Sequence, residues 1–225
     1  MRAGVLIVLE GAEGAGKTTQ LRMLAERLRE DGAEVLTLRE PGGTPLGDAI
    51  RQILLDPAQH ILPEAEALLF MASRAQIVRT EIDPALARGV VVLMDRFFLS
   101  TYAYQIGGRG LSEESIRAVN AFATGGVVPD LTLVLQLPAA EGLARASDRS
   151  GHDRIEGSGD AFHARVEGAF ERFASSDWQR DHPECGPIVT VDGRGSAGQV
   201  HERVTEALAR SLPERFRGMI EERAG

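Results

Sequence analysis

Lys17 and Thr18 stand near the end of the run Gly11-Ala12-Glu13-Gly14-Ala15-Gly16-Lys17-Thr18-Thr19, which fits the pattern G-x-x-x-x-G-K-[ST]. In that pattern the glycines let the backbone curl until its N–H groups point at phosphate oxygens. The lysine reaches the outer phosphates, and the hydroxyl serves a divalent cation. Lys17 is the sole lysine; every other one of the 25 Lys and Arg residues is arginine. A compact, flexible point charge therefore stands where a phosphate-reaching loop needs one, in a chain that otherwise uses arginine. The apolar run Val5-Leu6-Ile7-Val8-Leu9 precedes the loop, and Leu21, Leu24, Ala25 and Leu28 follow it at helical spacing. The loop thus joins a strand to a helix. That context separates a phosphate cradle from an incidental glycine-rich turn, and the helix N-terminus adds positive potential.

Other charged residues fall where they could join this loop. Val90-Val91-Val92-Leu93-Met94-Asp95 is an apolar strand ending in a carboxylate, so Asp95 and Thr18 are the candidate Mg2+ ligands. Arg96 follows at once. Its guanidinium suits bidentate phosphate binding, and a plain Asp95–Arg96 ion pair is the structural alternative. Arg39 precedes the turn-rich stretch Glu40-Pro41-Gly42-Gly43-Thr44-Pro45 and is a candidate for a second phosphate, against the alternative of a solvated loop arginine. Arg145 and Arg149 share a helix face by their spacing, and Arg154 lies past Gly151. Together they read as a mobile lid, about 145–159, that carries guanidinium groups to a transferring phosphoryl; a solvated charged loop is the plainer reading. Phe70 and Arg74 also share a helix face. A ring and a guanidinium there can stack on a planar base and bond its edge, although the spacing equally fits a core phenylalanine.

These residues need a scaffold that brings them together. The strand candidates are residues 5–10, 35–38, 90–94, 131–137 and 188–191, each a short apolar run. Helical patterns lie between them, at 17–31, through Ile50, Ile53 and Leu54, at 64–87, within 99–124, at 139–148, at 160–181 and at 196–212. Strands alternating with helices predict an α/β fold with a five-stranded parallel sheet covered on both faces. Ligands of such sheets bind beyond the carboxyl ends of the strands, where Glu10-Gly11, Arg39-Glu40 and Asp95-Arg96 are expected. The 225 residues suit one domain, 1–212, followed by a charged tail, 213–225.

The formal charge of −8 argues against a general nucleic-acid surface, and positive charge must be concentrated locally. One cysteine, Cys185, excludes an internal disulfide and reads as an incidental or structural thiol. His60, His152, His163, His182 and His201 are scattered and suggest no metal cluster. No run reaches transmembrane length, and residues 1–10 lead straight into a core strand, so a cytoplasmic protein with no membrane partner is expected.

With these residues placed, the chain resembles the bacterial thymidylate kinase family over almost its full length. The segments that carry the resemblance are 6–20, 39–44 (REPGGT), 68–76, 95–105 (DRFFLSTYAYQ) with 107–110, 129–137 and 153–156 (DRIE). The resemblance implies a P-loop NTPase-type fold with a short lid, and Mg2+-dependent transfer of a phosphoryl group from ATP to dTMP in dTTP biosynthesis. It implies that the loop residues Gly11 to Thr19 bind ATP and that Lys17, Asp95, Arg96, Arg149 and Arg154 are catalytic. Arg39 and Arg96 would hold the dTMP phosphate. Phe70 would stack on thymine, and Arg74 and Gln105 would read its edge. Tyr104 would pack by the deoxyribose, Ser100 and Thr101 would line the same pocket, and Glu13 would face the acceptor. Arg145 and Arg194 would join the ATP side, Arg194 in the adenine-side stretch Asp192-Gly193-Arg194-Gly195-Ser196. With Glu13 and no arginine in the loop, and Arg149 and Arg154 in the lid, the chain resembles the lid-arginine type of the family. A homodimer through the 64–87 helix is also implied.

The rivals are another nucleoside monophosphate or deoxynucleoside kinase on the same scaffold, and a non-catalytic ATP-binding module. A GTPase is excluded by its N-K-x-D guanine motif, since the only lysine is Lys17.

Overall fold

A computed structural model of the chain describes residues 3–138, 141–142 and 153–216. At its centre lie five parallel strands, β1 (Val5–Glu10), β2 (Val35–Arg39), β3 (Val91–Asp95), β4 (Leu131–Gln136) and β5 (Ile188–Asp192), in the order β2-β3-β1-β4-β5. The helices among the described residues are, in chain order, α1 (Lys17–Glu30), α2 (Pro45–Leu55) and α3 (Pro63–Ile77). A π-helical turn (Val78–Ile82) leads from α3 into α4 (Asp83–Ala87). Then come α5 (Phe98–Thr101), a second π-helical stretch (Tyr102–Gly108), α6 (Glu113–Thr124), α7 (Asp160–Phe173), α8 (Ser176–Asp181), α9 (Ala197–Ser211) and α10 (Pro213–Phe216).

Side chains on a strand alternate between faces, and both faces are apolar because both are covered. Leu6 and Val8 join Val92, Met94 and Val134 under the layer that contains Ile77, Leu99, Phe170 and Phe173. Val5, Ile7 and Leu9 join Leu93, Leu133 and Leu135 under α1 and α9, against Leu24, Leu28, Val204 and Leu208. Cys185 is buried, which pushes its thiol pKa up and leaves it an inert core residue.

The sheet delivers the charged residues to one rim. In the parallel register Asp95 pairs with Leu9 on one side and Arg39 on the other. β1 then turns at Gly11, so close to β4 that a Cβ there would lie 2.5 Å from the Leu135 carbonyl oxygen. Gly16 caps α1 with φ of 93°, a left-handed conformation that glycine adopts without a Cβ clash.

Three differences from the sequence pattern have local causes. The helix expected over 160–181 breaks after Phe173, because the Ser175 hydroxyl accepts from the Trp178 N–H and starts α8 as a new helix. The segment 99–124 is not simply helical: α5 passes into the π-helical stretch, which places Tyr104 and Gln105 ahead of α6. Of the expected lid, 153–159 are described, with a short 3-10 turn at Glu156–Ser158; residues 143–152 and the tail from 217 lie outside the described residues.

Candidate active site

The rim opens into a cavity of about 590 Å³ that runs from the phosphate loop to Phe70 and Gln105. At the loop end, Lys17 is the first residue of α1 and its Nζ donates to the carbonyl oxygens of Gly11 (3.1 Å) and Ala12 (2.8 Å). Burial, and then the charge of Arg96, lower its pKa to about 8, while Asp95, Glu13 and Glu10 act the other way. Thr18 donates its hydroxyl to Asp95 Oδ2 at 2.6 Å. Mg2+ takes few protein oxygens and fills its remaining positions with water and phosphate. A hydroxyl and a carboxylate that converge beside a phosphate loop fit that demand.

Arg96 bridges the loop and the acceptor side. Its Nη1 donates to Gly11 O (3.2 Å) and Ser100 Oγ (3.0 Å), and its Nη2 to Glu13 Oε2 (3.0 Å). Its Cζ lies 5.1 Å from the centre of the Tyr104 ring. Among the described residues it is the only non-glycine with a left-handed backbone, φ 72°. A residue held there against its own preference is one the surroundings have fixed. Burial opposes its charge, but Tyr104 and the carboxylates of Glu13, Asp95 and Glu10 outweigh it, so its pKa lies above the ordinary arginine value. The ion pair is therefore with Glu13, not with the adjacent Asp95.

Glu10, fully buried, explains how α5 is held. Its Oε1 accepts from the backbone N–H groups of Phe97 (2.7 Å) and Ser100 (3.0 Å), and its Oε2 from the Ser100 hydroxyl (2.6 Å). A carboxylate at the end of β1 thus caps α5 and fixes the hydroxyl that Arg96 uses.

At the far end, Phe70 and Arg74 both line the cavity, as their spacing on α3 requires. Arg74 is only 1% exposed, and its five N–H donors are all taken. Nε and Nη2 reach Glu40 Oε2 (2.8 and 2.6 Å), Nη1 reaches Thr101 Oγ1 (2.8 Å) and Asn120 Oδ1 (2.7 Å), and Nη2 also reaches the Phe97 carbonyl (2.9 Å). Arg74, expected to read the base edge, lines the cavity as a buried, fully bonded side chain, and bonding a base edge would mean trading one of these partners. Burial raises the pKa of Glu40, against the pull of Arg74, and Glu40 Oε1 has no hydrogen-bond partner among the described residues.

Most of the remaining expected residues gather in this cavity: Glu13, Gly14, Gly16, Lys17, Thr18 and Thr19 of the loop, with Arg39, Asp95, Arg96, Ser100, Thr101, Tyr104 and Gln105. Gly11, Ala12 and Ala15 shape the loop without lining the space. Two residues that the sequence reading passed over belong to the site. Arg51 lines the cavity from α2 and is held by the Pro41 carbonyl (3.0 Å). Partial burial, then the charges of Arg39 and Arg96, pull its pKa down, with Asp153 and Asp95 opposing. Two neighbouring guanidiniums thus disfavour the charge of Arg51, and an anion in the space they share would relieve it. The second residue is Glu66, whose buried carboxylate binds Gln105, Arg109 and Arg154.

Arg154, expected to bring its charge to the phosphoryl group, is tied here to Glu66 and to the end of α2. Its Nη2 donates to Glu66 Oε2 (2.7 Å), its Nε to Leu54 O (2.8 Å), and its backbone N–H to Leu55 O (3.1 Å). A buried carboxylate needs cations, and Arg154 answers it as a strut behind the cavity wall instead of lining the cavity. Arg145 and Arg149 lie outside the described residues. Arg194 is forked onto Asp192 (2.9 and 3.0 Å) and lines a separate cavity of about 430 Å³ with Ala12, Leu137 and Pro138, on the other flank of the loop.

Comparison with known proteins gives one consistent answer. A family model described as thymidylate kinase matches residues 9–181. A thymidylate kinase of Pseudomonas fluorescens (strain Pf0-1) is 49% identical over 211 residues, which cover 93% of this chain and 95% of that protein. A thymidylate kinase of Deinococcus radiodurans is 51% identical over 180 residues, 80% of this chain and 87% of its own. Among solved structures, the thymidylate kinase of Ehrlichia chaffeensis superposes with a TM-score of 0.71 at 30% identity, covering 91% of this chain and 98% of that one.

Proposed function

The chain belongs to the thymidylate kinase family and phosphorylates dTMP to dTDP with ATP as donor, and on that premise we propose what its residues do. One observation carries the assignment: Lys17, Arg39, Arg51 and Arg96 surround one end of a single cavity whose other end is Phe70 and Gln105. Four cations suit two phosphate groups meeting there, and an aromatic ring with an amide suits a base.

The acceptor oxygen of dTMP is already anionic, so no general base is required and positioning with charge neutralisation supplies the catalysis. The loop N–H groups and Lys17 hold the ATP phosphates. Arg39, Arg51 and Arg96 hold the dTMP phosphate in line, Arg96 in the orientation that Glu13, Ser100 and Glu10 give it. Phe70 stacks on thymine, Tyr104 packs by the sugar, and Gln105 reads the base edge. Thr18 and Asp95 are the ligands we assign to Mg2+, which when bound would neutralise charge on the ATP phosphates. Arg145, Arg149 and Arg194 remain our candidates for the ATP side.

The lowered pKa of Lys17, about 8, gives ATP binding a signed pH dependence. Below that pH the ammonium is in place. Above it, binding must take up a proton, because bound phosphates favour the charged lysine. ATP Kd, measured by calorimetry, should therefore rise about five- to tenfold between pH 8 and pH 9. A flat profile would remove Lys17 from the phosphates.

The reaction itself is tested by ADP release with dTMP, dUMP, dCMP, dGMP and thymidine as acceptors, with and without Mg2+. dTMP should be the best acceptor and chelation should abolish turnover. Thymidine as the better acceptor would overturn the reaction class.

We further place the enzyme in the cytoplasm, in line with its nucleotide substrates; no helix among the described residues is long and apolar enough to cross a membrane. Residues 1–212 are proposed as one catalytic domain. A homodimer is proposed through α3 and α6, where Leu68 is 58% and Phe122 87% exposed. A monomer mass by light scattering would count against it.

A further inference from the structure

Gln105 lines the cavity and is 1% exposed, yet an amide can present either of two ends to a base. The end that faces a ligand is decided by what the other end must bind. Here the other end meets Glu66. Gln105 Nε2 donates to Glu66 Oε1 at 3.0 Å, and none of the described residues donates to Gln105 Oε1. We propose that Glu66 is the positioning residue for base selection: its carboxylate takes the NH2 end of Gln105 and so presents the carbonyl end to the base.

The argument depends on Glu66 being an acceptor only. A protonated carboxyl could donate to Gln105 Oε1, and the amide could then turn over. Two guanidiniums prevent this. Arg109 forks onto Glu66 from Nε and Nη2 (both 3.0 Å), and Arg154 adds Nη2 at 2.7 Å. With Gln105 these bonds occupy the lone pairs of both oxygens. Burial pushes the Glu66 pKa up, but the hydrogen bonds of Arg109, Arg154 and Gln105 outweigh it and the net shift is downward. The carboxylate stays ionised, so Gln105 keeps one orientation. The cations are themselves braced: Arg109 lies over the Phe162 ring at 4.3 Å, and Arg154 is tied to the end of α2 through Leu54 and Leu55.

An acceptor facing the base selects a ring N–H. The imide N3–H of thymine or uracil matches it. The N3 of cytosine is an acceptor and would oppose it, leaving two buried lone pairs face to face. Glu66 therefore sets discrimination between dTMP and dCMP without touching either, and this rests on the reading of Gln105 as the residue that contacts the base.

The test is the ratio of kcat/KM for dTMP to kcat/KM for dCMP, which does not depend on the fraction of enzyme that folds. Glu66→Gln keeps the volume but lets the residue at 66 donate to Gln105, so the amide can turn. The ratio should fall about tenfold or more, with the KM for ATP unchanged. Gln105→Leu is measured beside it. A ratio that falls in Gln105→Leu but holds in Glu66→Gln overturns the role of Glu66 and leaves Gln105 as the reader. A ratio that holds in Gln105→Leu overturns the base-reading role of Gln105, and the proposal with it.

Discussion

Arg96→Ala should lower kcat for dTMP about a thousandfold while ATP affinity stays within a few-fold of the parent. Among the described residues Arg96 donates to Gly11, Ser100 and Glu13, and the bonds to the neutral oxygens of Gly11 and Ser100 fix its direction without using up its charge. The carboxylate paired with it, Glu13, is part of the phosphate loop. Removing the guanidinium therefore does two things. It takes away the donor that orients the acceptor phosphate, and it takes away the guanidinium that offsets the Glu13 carboxylate beside that phosphate. Like charges at short range in a partly buried site repel strongly. Part of the loss should return in Arg96→Ala/Glu13→Gln, where the second defect is gone. Arg96→Lys should behave more like alanine than like arginine, because an ammonium cannot span Ser100, Glu13 and a phosphate together. The check is steady-state turnover by ADP release, with ATP affinity measured separately by calorimetry. Turnover within tenfold of the parent would remove Arg96 from the acceptor site.

What could be read from the sequence follows from the range over which each interaction acts. Gly11 to Thr19 is legible because a phosphate loop is local: its glycines, lysine and hydroxyl act within a few bonds of one another. The strands are legible because a parallel sheet covered on both faces needs unbroken apolar runs, and β4 was expected at 131–137 against the observed Leu131–Gln136. Asp95 and Arg39 were placed on one rim by the same logic, which the register bears out. Partnerships were not legible. Arg154 looks like a lid arginine until Glu66, 88 positions earlier, claims it. Glu66 left a signal all the same, since residues 66, 70 and 74 share one face of α3 and the carboxylate had to point where Phe70 and Arg74 point. Arg51 left none; its neighbours on α2 are ordinary helix residues, and only the folded cavity brings it beside Arg39 and Arg96. The pause at Ser175 carried a capping signal, a serine with Asp177 two residues on, masked by the apolar pattern on either side.

Arg74→Met should destabilise the fold by about 3–5 kcal/mol, a fall of roughly 6–20 °C in Tm for a chain of this size. The Arg74–Glu40 pair is closed to water, with side chains 1% and 3% exposed. Methionine fills much of the volume but leaves Glu40 with neither a cation nor a donor, and Thr101, Asn120 and the Phe97 carbonyl lose theirs as well. The loss should depend on pH, and its sign follows from Glu40. Burial already raises the Glu40 pKa above the ordinary carboxylate value, and Arg74 is what holds it down. Without Arg74 the folded-state pKa rises further. A carboxyl whose folded pKa exceeds its unfolded one contributes its stability below the unfolded pKa and loses it as pH rises through the folded pKa. Arg74→Met should therefore lie closest to the parent at mildly acidic pH, where a neutral Glu40 is tolerated, and fall away as pH rises. Glu40→Gln should behave differently. It strands a guanidinium that cannot lose its proton in the accessible range, so its penalty should vary little from pH 5 to pH 8. Urea unfolding of both variants at these two pH values gives the comparison. If Arg74→Met shows the same penalty at both, Glu40 is not the group that Arg74 holds charged, and the post at the base of the cavity owes its stability to the bonds to Thr101, Asn120 and the Phe97 carbonyl.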